Sequence, residues 1–379
     1  MKRATRARLV GLLWALVLAG CATQPATDPA QQKIAQANKE AASQLFASES
    51  TVLHATEYPV ASAAEGVQRG DLAWREGKLE LAVFLYVQAL AFDATSAEPL
   101  FKIGAVHEQL GNRELAEKAY QLGLDRQPGH AVATERLGLL YLQDGRTDEA
   151  AALFKRAIEL DPKRWRSHNG LGVVADRHGD FRSAIEHYDR ALEIEPGAAA
   201  VLNNRGYSRY LAGDLAGAES DLKAAIRLGA GAGAWTNLGK VQAKQGRYPE
   251  ALESLTREMD IAHAYNLLGE GSMENGDYSR AVRYFESAIS AAPRYFEAAQ
   301  RNLALASERL LAAPTTASSK VVVADTPVIS DGAVVGLVER NDRVEVLRTQ
   351  SGSSLVRFRN RTGTDHLGWV PSTSLADPP

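Results

Sequence analysis

Three ladders of small residues run through this chain in one register. The first is Gly70, Gly104, Gly138, Gly172, Gly206, Gly239 and Gly269. The second is Gly77, Gly111, Gly145, Gly179, Gly213, Gly246 and Gly276, and the third Ala82, Ala116, Ala150, Ala184, Ala218, Ala251 and Ala281. Each steps by 34, 34, 34, 34, 33 and 30 residues. Such a fixed period demands one supersecondary unit used again and again. Small residues at the first and third anchors let two helices of a unit approach closely, and the middle glycine permits the positive φ of a tight turn between them. Pro128, Pro162, Pro196 and Pro293 end the second helix, since proline cannot continue one. Tyr120, Phe154, Tyr188 and Phe285 are expected to fill the gap against the next unit. A single unit cannot bury its own apolar face, so the units must stack.

The unit Trp165–Ala198 carries all the anchors: Leu171-Gly172, Gly179, Ala184, Tyr188, Ala191 and Pro196. It resembles the tetratricopeptide repeat. The resemblance implies an all-α solenoid of about seven helix–turn–helix units over residues 63–310 with a concave groove, a scaffold that binds proteins. The units are Ala63–Ser96, Ala97–His130, Ala131–Arg164, Trp165–Ala198, Ala199–Gly231, a clipped sixth from about Ala232, and a seventh followed by a cap helix, Arg294–Leu310. Unit 5 departs from the pattern, with Arg205 in the place of a leucine. The second helix of unit 6 is expected at Pro249–Ala262, with a tight passage into His263-Ala264-Tyr265.

Lys2–Arg8 is basic, and Leu9–Ala19 is an apolar run of about eleven residues. That run is too short to span ~30 Å of hydrocarbon as a helix but suits a signal-peptide core. It ends in Leu18-Ala19-Gly20-Cys21, which resembles a bacterial lipobox. The resemblance implies removal of residues 1–20 and lipidation of Cys21, the sole cysteine, so no internal disulfide can form. Ala22 in place of an aspartate implies the outer membrane, periplasmic face. Residues 21–62, rich in Ala, Gln, Ser and Thr, read as a flexible tether. The net charge of −3 becomes −7 once Lys2, Arg3, Arg6 and Arg8 leave. That balance offers no basic footprint for nucleic acid.

Residues 311–320 read as a linker. Beyond them the period becomes alternating, with strands expected at Val321–Val323, Ala333–Val338, Arg343–Leu347, Leu355–Arg359 and Leu367–Val370. Gly368-Trp369-Val370 and Asp342-Arg-Val-Glu-Val346 resemble a bacterial SH3-like barrel over residues 321–379, which implies a small five-stranded all-β domain and peptidoglycan as a ligand. Thr326-Pro-Val-Ile329 stands where that family's first strand ordinarily begins Asn-Val-Arg.

No catalytic constellation is present in the sequence, and no cofactor or metal is expected. Gly239-Lys240 lacks the leading glycine and the Ser/Thr of a phosphate loop. His168, His178 and His187 fall in one unit, but on different helices and beside the turn. Chemistry gives way to binding. In the fold implied by the resemblance, positions 2, 5, 6, 9 and 12–13 of each unit face the groove. At or near them stand Asn169, Arg177, Asn203, Asn204, Tyr207, Tyr210, Asn237, Lys240 and Asn266. Asparagine both donates and accepts, so a row of it can grip an extended backbone, and tyrosine adds rigid contact area. The wording of units 5 to 7 (Asn203-Asn-Arg-Gly-Tyr207, Ala264-Tyr-Asn-Leu-Leu-Gly269, Pro293-Arg-Tyr-Phe-Glu-Ala-Ala299) looks like the repeat lipoprotein of tight-adherence (Flp-type) pilus systems. That resemblance implies pilus or secretion components as partners; the SH3-like end implies instead a cell-wall adaptor that positions wall enzymes.

Overall fold

A computed structural model describes residues 60–377, apart from 232, 313–317, 331–332, 351 and 360–364. The signal segment, Cys21 and nearly all of the tether lie outside the described residues. The chain divides into two compact parts, Met1–Ala230 and Gly231–Pro379.

Among the described residues of the first part, ten helices form five antiparallel pairs: α1 Ala63–Arg75 with α2 Leu79–Phe92, α3 Glu98–Gln109 with α4 Arg113–Arg126, α5 Ala131–Gln143 with α6 Thr147–Leu160, α7 Trp165–Arg177 with α8 Phe181–Ile194, and α9 Ala199–Leu211 with α10 Leu215–Arg227. The second part begins with α11 Ala234–Lys244, α12 Tyr248–Leu255, α13 Ile261–Glu274, α14 Tyr278–Ala291 and α15 Glu297–Ala312. The two glycine ladders work by different physics. All seven turn glycines have φ between 72° and 87°, and a Cβ there would meet nothing within 4 Å. Their constraint is the backbone alone. After three of them an aspartate starts the next helix: Asp180, Asp214 and Asp277 accept from the N–H of Ser183, Gly217 and Arg280.

The other ladder is a packing device. A Cβ on Gly172 would lie 2.5 Å from Cε1 of Tyr188, and on Gly269 2.4 Å from Cε1 of Phe285. The large ring therefore presses on the glycine of its own unit, where the sequence suggested the next one. Phe154 does both, touching the Cβ positions of Gly138 in its own unit and Gly170 in the following one. Where the ring is replaced by leucine, Leu222 and Leu255 meet Gly206 and Gly239 in the same way. Tyr86, Tyr120, Phe154, Tyr188 and Phe285 are almost fully buried, each stabilising its unit by ~1.5–3 kcal/mol.

Two irregular units have specific explanations. Arg205, in place of leucine, is held in a part-buried ion network. Its Nε and Nη2 donate to Asp221 at 2.8 and 2.7 Å, and Nη1 donates to Asp189 of α8 at 2.6 Å. In unit 6 the second helix stops at Leu255, seven residues before the expected end, and Ala262-His263 already belong to α13. Asp260 caps α13, accepting from the N–H of Ala262 and His263 at 3.1 Å. Glu258 turns back to the start of α11. Its carboxylate accepts from the N–H of Gly233 at 2.8 Å and of Thr236 at 3.2 Å, and from the Thr236 hydroxyl at 2.7 Å. The bare helix start behind Gly233 thus borrows its cap from the far end of its own unit.

The C-terminal region is an antiparallel sheet of seven strands: β1 Ser318–Val322, β2 Thr326–Ser330, β3 Ala333–Val338, β4 Arg343–Gln350, β5 Ser353–Arg359, β6 Asp365–Pro371 and β7 Leu375–Ala376. Their order is β3-β2-β6-β5-β4-β1-β7, so the sheet has two edges and is not closed into the expected five-stranded barrel. The additional strands include β2, built on Thr326–Ser330, and β7, which pairs with β1. Val322, Val328, Val338, Val344, Val356, Phe358 and Val370 form its core. The linker is shorter than composition suggested, since Leu311–Ala312 complete α15 and Ser318–Lys320 begin β1.

Candidate protein-binding face

The first helices of units 4 and 5 meet through polar side chains. Asn204 donates to Oδ1 of Asn169 at 3.0 Å. One helical turn on, Ser208 donates to both oxygens of Asp176 at 2.6 and 2.7 Å, and the Tyr188 hydroxyl adds a bond to Oδ2 at 2.7 Å. Asn203, Tyr207 and Tyr210 follow steps of four and three along α9, hence share a face. The Tyr207 and Tyr210 rings stack with centroids 6.1 Å apart. Arg177, at the end of α7, is exposed and reaches the Thr147 hydroxyl at 3.4 Å.

Asn237 and Lys240, three residues apart on α11, are partly exposed. Asn266 is not presented to solvent: it is 8% exposed, donates to Glu270 at 2.8 Å and accepts from Asn302 at 3.1 Å. Asn302, on α15, did not figure in the sequence reading. Nor did Asp176 and Ser208. Of the three histidines, His168 and His187 lie with ring centroids 6.5 Å apart, and His178 stands near Asp148 at 3.7 Å. Among the described residues no group of three or more His, Cys, Asp or Glu could hold a metal ion. Nor is any described helix long and apolar enough to cross a membrane.

The acidic groups between first helices recur with a pattern. Asp71 accepts from the Tyr86 hydroxyl at 2.7 Å and from Lys102 of the next unit at 2.8 Å. Burial opposes its charge, but Lys102 and Tyr86 outweigh it and hold the carboxyl below the usual range. Glu108 is paired with Arg136 of the next unit, and deeper burial still holds its carboxyl above that range. Glu135, 1% exposed, is bound by Arg164 and by the Ser167 hydroxyl at 2.8 Å. Asp176 differs: burial pushes its carboxyl up, and only the two hydroxyls work against that.

Family models of the tetratricopeptide repeat match residues 94–163 and 131–195, 169–233, 234–266 and 262–295. Together they span 94–295, more than half of the chain. The chain belongs to the tetratricopeptide-repeat proteins. Among solved structures, the Cut9–Hcn1 hetero-tetramer of the APC/C is 16% identical with a TM-score of 0.50, over 64% of this chain and 48% of that one. PilF of Pseudomonas aeruginosa is 18% identical with a TM-score of 0.43, over 64% of this chain and 97% of that one. MamA from Desulfovibrio magneticus RS-1 is 20% identical with a TM-score of 0.41, over 44% of this chain and 94% of that one. At these identities the likeness is one of fold. No curated protein matches the chain by sequence.

Tetratricopeptide-repeat proteins serve as protein-interaction scaffolds. Asn169 and Asn204 present amides in a row, while Tyr207 and Tyr210 supply a paired aromatic surface.

Proposed function

We propose that this protein is a non-enzymatic, lipid-anchored scaffold on the periplasmic face of the outer membrane. It binds an extended segment of a protein partner while a pilus or secretion machine of the tight-adherence type is assembled. The observation that carries the binding part is the α7–α9 surface, where Asn169 and Asn204 are joined amide to amide beside the stacked Tyr207–Tyr210 pair. Free amide valences can grip a backbone irrespective of its side chains, and tyrosine is a frequent hot-spot residue at interfaces. The anchoring part is supported by Leu18-Ala19-Gly20-Cys21 and the basic, then apolar, segment ahead of it. The choice of machine rests on the wording of units 5 to 7.

The test is a double substitution, Tyr207→Ala with Tyr210→Ala. Truncating hot-spot anchors costs about 2 kcal/mol or more, roughly a 30-fold loss of affinity. The variant should lose co-purification with pilus-assembly components and lose surface pili at an unchanged protein level, while Asp148→Ala on α6 should do neither. A silent tyrosine pair, with assembly abolished by deletion of residues 318–379, would move binding to the C-terminal sheet and favour the cell-wall adaptor.

A further inference from the structure

The repeat period lets each polar group be compared with its counterpart elsewhere in the array. Asp176 stands 68 residues, two periods, after Glu108. Tyr188 stands 68 after Tyr120, and Asn204 stands 68 after Arg136. The same three positions therefore hold tyrosine, acid and arginine between units 2 and 3, but tyrosine, acid and asparagine between units 4 and 5. Arg136 neutralises Glu108. Asn204 cannot neutralise Asp176, and its amide is turned to Asn169.

The exception holds across the first part. Asp71 has Lys102, Glu135 has Arg164 and Asp221 has Arg205, each an ion pair within the chain. Asp176 makes no ion pair among the described residues and is met only by Tyr188 and Ser208. The neighbouring Arg177 is turned to the Thr147 hydroxyl. A half-buried carboxylate carries a desolvation cost that neutral hydroxyls offset only in part. Its two oxygens offer about four lone-pair sites, and two hydroxyls leave room for another donor. One carboxylate is too few for a hard metal ion, which takes six or more oxygens. An ammonium or guanidinium group matches both the charge and the remaining acceptor capacity.

We propose that Asp176 receives a lysine or arginine side chain of the partner's extended segment, a reading that rests on the binding surface proposed above. The segment lies along α7 and α9, its backbone on Asn169 and Asn204, and supplies the cation that Arg136 supplies to Glu108 from within the chain.

The experiment uses the full chain and three acetylated, amidated heptapeptides, Ser-Ala-Ser-Xaa-Ser-Ala-Ser, with lysine, glutamine or glutamate at the centre. Binding at millimolar concentration is followed by the 13C carboxyl resonance of Asp176 and the side-chain amide signals of Asn169 and Asn204. The lysine peptide should shift all three signals and bind at least about tenfold more tightly than the glutamine peptide. Asn204→Arg, which rebuilds the arrangement between units 2 and 3, should abolish that preference with the fold intact. Asp176→Asn, which keeps an oxygen for Tyr188 and Ser208, should abolish it too. Equal affinity for the three peptides, or a preference that survives Asn204→Arg, overturns the proposal. So does calcium chloride shifting the Asp176 resonance as the lysine peptide does. If the lysine preference is found but the Tyr207/Tyr210 variant still assembles pili, the part assigned to the tyrosine pair in assembly fails and the Asp176 receptor stands.

Discussion

The Arg205 guanidinium lies edge-on to the Asp221 carboxylate, with Nε and Nη2 donating to different oxygens at 2.8 and 2.7 Å. Arg209 adds a third bond at 2.8 Å, and the Asp221 side chain is only 6% exposed. Burial works against the Arg205 charge, and Asp221 and Asp189 outweigh it, holding its pKa above the ordinary value. Restoring the leucine of the repeat pattern should therefore harm the protein. Arg205→Leu leaves a buried carboxylate with Arg209 alone and should cost about 2–3 kcal/mol. Arg205→Leu with Asp221→Leu should recover most of that loss in urea unfolding. An unchanged single variant would show the network to be idle.

The two glycine ladders predict different outcomes for the same substitution. Gly172→Ala drives a Cβ to 2.5 Å from Tyr188 and should cost ~1–3 kcal/mol through overpacking. Gly179→Ala meets no atom but must hold φ at +76°, a cost of ~1–2 kcal/mol. Neighbouring units interact pairwise, so amide exchange should quicken around units 3 to 5 and stay unchanged in unit 1. Uniform loosening would contradict the nearest-neighbour picture.

Acid should weaken the fold before carboxylates are involved. Burial lowers the pKa of His130, His168 and His187 below 6.5, and the His187 charge lowers that of His168 further. His130 also caps α5, its Nδ1 accepting from the Ala133 N–H at 3.1 Å, a bond that protonation removes. An unfolded chain takes protons near pH 6.5 that the folded one refuses, so stability is full above that pH and is lost as pH falls from there through the lower folded values. Asp176 and Glu108, with raised values, act oppositely: in the carboxylate range the folded state takes up protons first. Urea midpoints should thus drop from pH 7.5 to 5.5, and the drop should shrink in His168→Gln with His187→Gln. A flat wild-type profile would contradict this.

Cys21 carries the proposed anchor. Cys21→Ser should release the protein from outer-membrane fractions while leaving its circular dichroism unchanged. Retention of the variant in those fractions after a high-salt wash would contradict the anchor.

The solenoid was legible because its constraints repeat. Seven positive-φ turns and seven close approaches leave seven copies of each signal, and a period survives local exceptions such as Arg205. The end of α12 was not legible, because it depends on Glu258 reaching back to Gly233, a contact that spacing does not encode. The sheet was read as too few strands for a related reason: β7 is two residues long and exists only by pairing with β1. Within the candidate face, Asn204 was found by residue type, but its bond to Asn169 and the burial of Asn266 needed three dimensions. Asp176 was overlooked although the period pointed to it, since comparison with Glu108 and Arg136 needs only the sequence.

The double duty of Phe154 has a bearing on how such an array can be cut and rejoined. Its ring fills the socket at Gly138 and, from its other edge, the one at Gly170. The boundary drawn between Arg164 and Trp165 by the repeat pattern is therefore a boundary of period only. A graft that takes residues 131–164 carries away the ring that unit 4 rests on, and one that takes 165–198 arrives with an empty socket. A module that begins at unit 4 has to travel with α6, the second helix of the unit before it, which makes the transferable piece one helix longer than the repeat suggests.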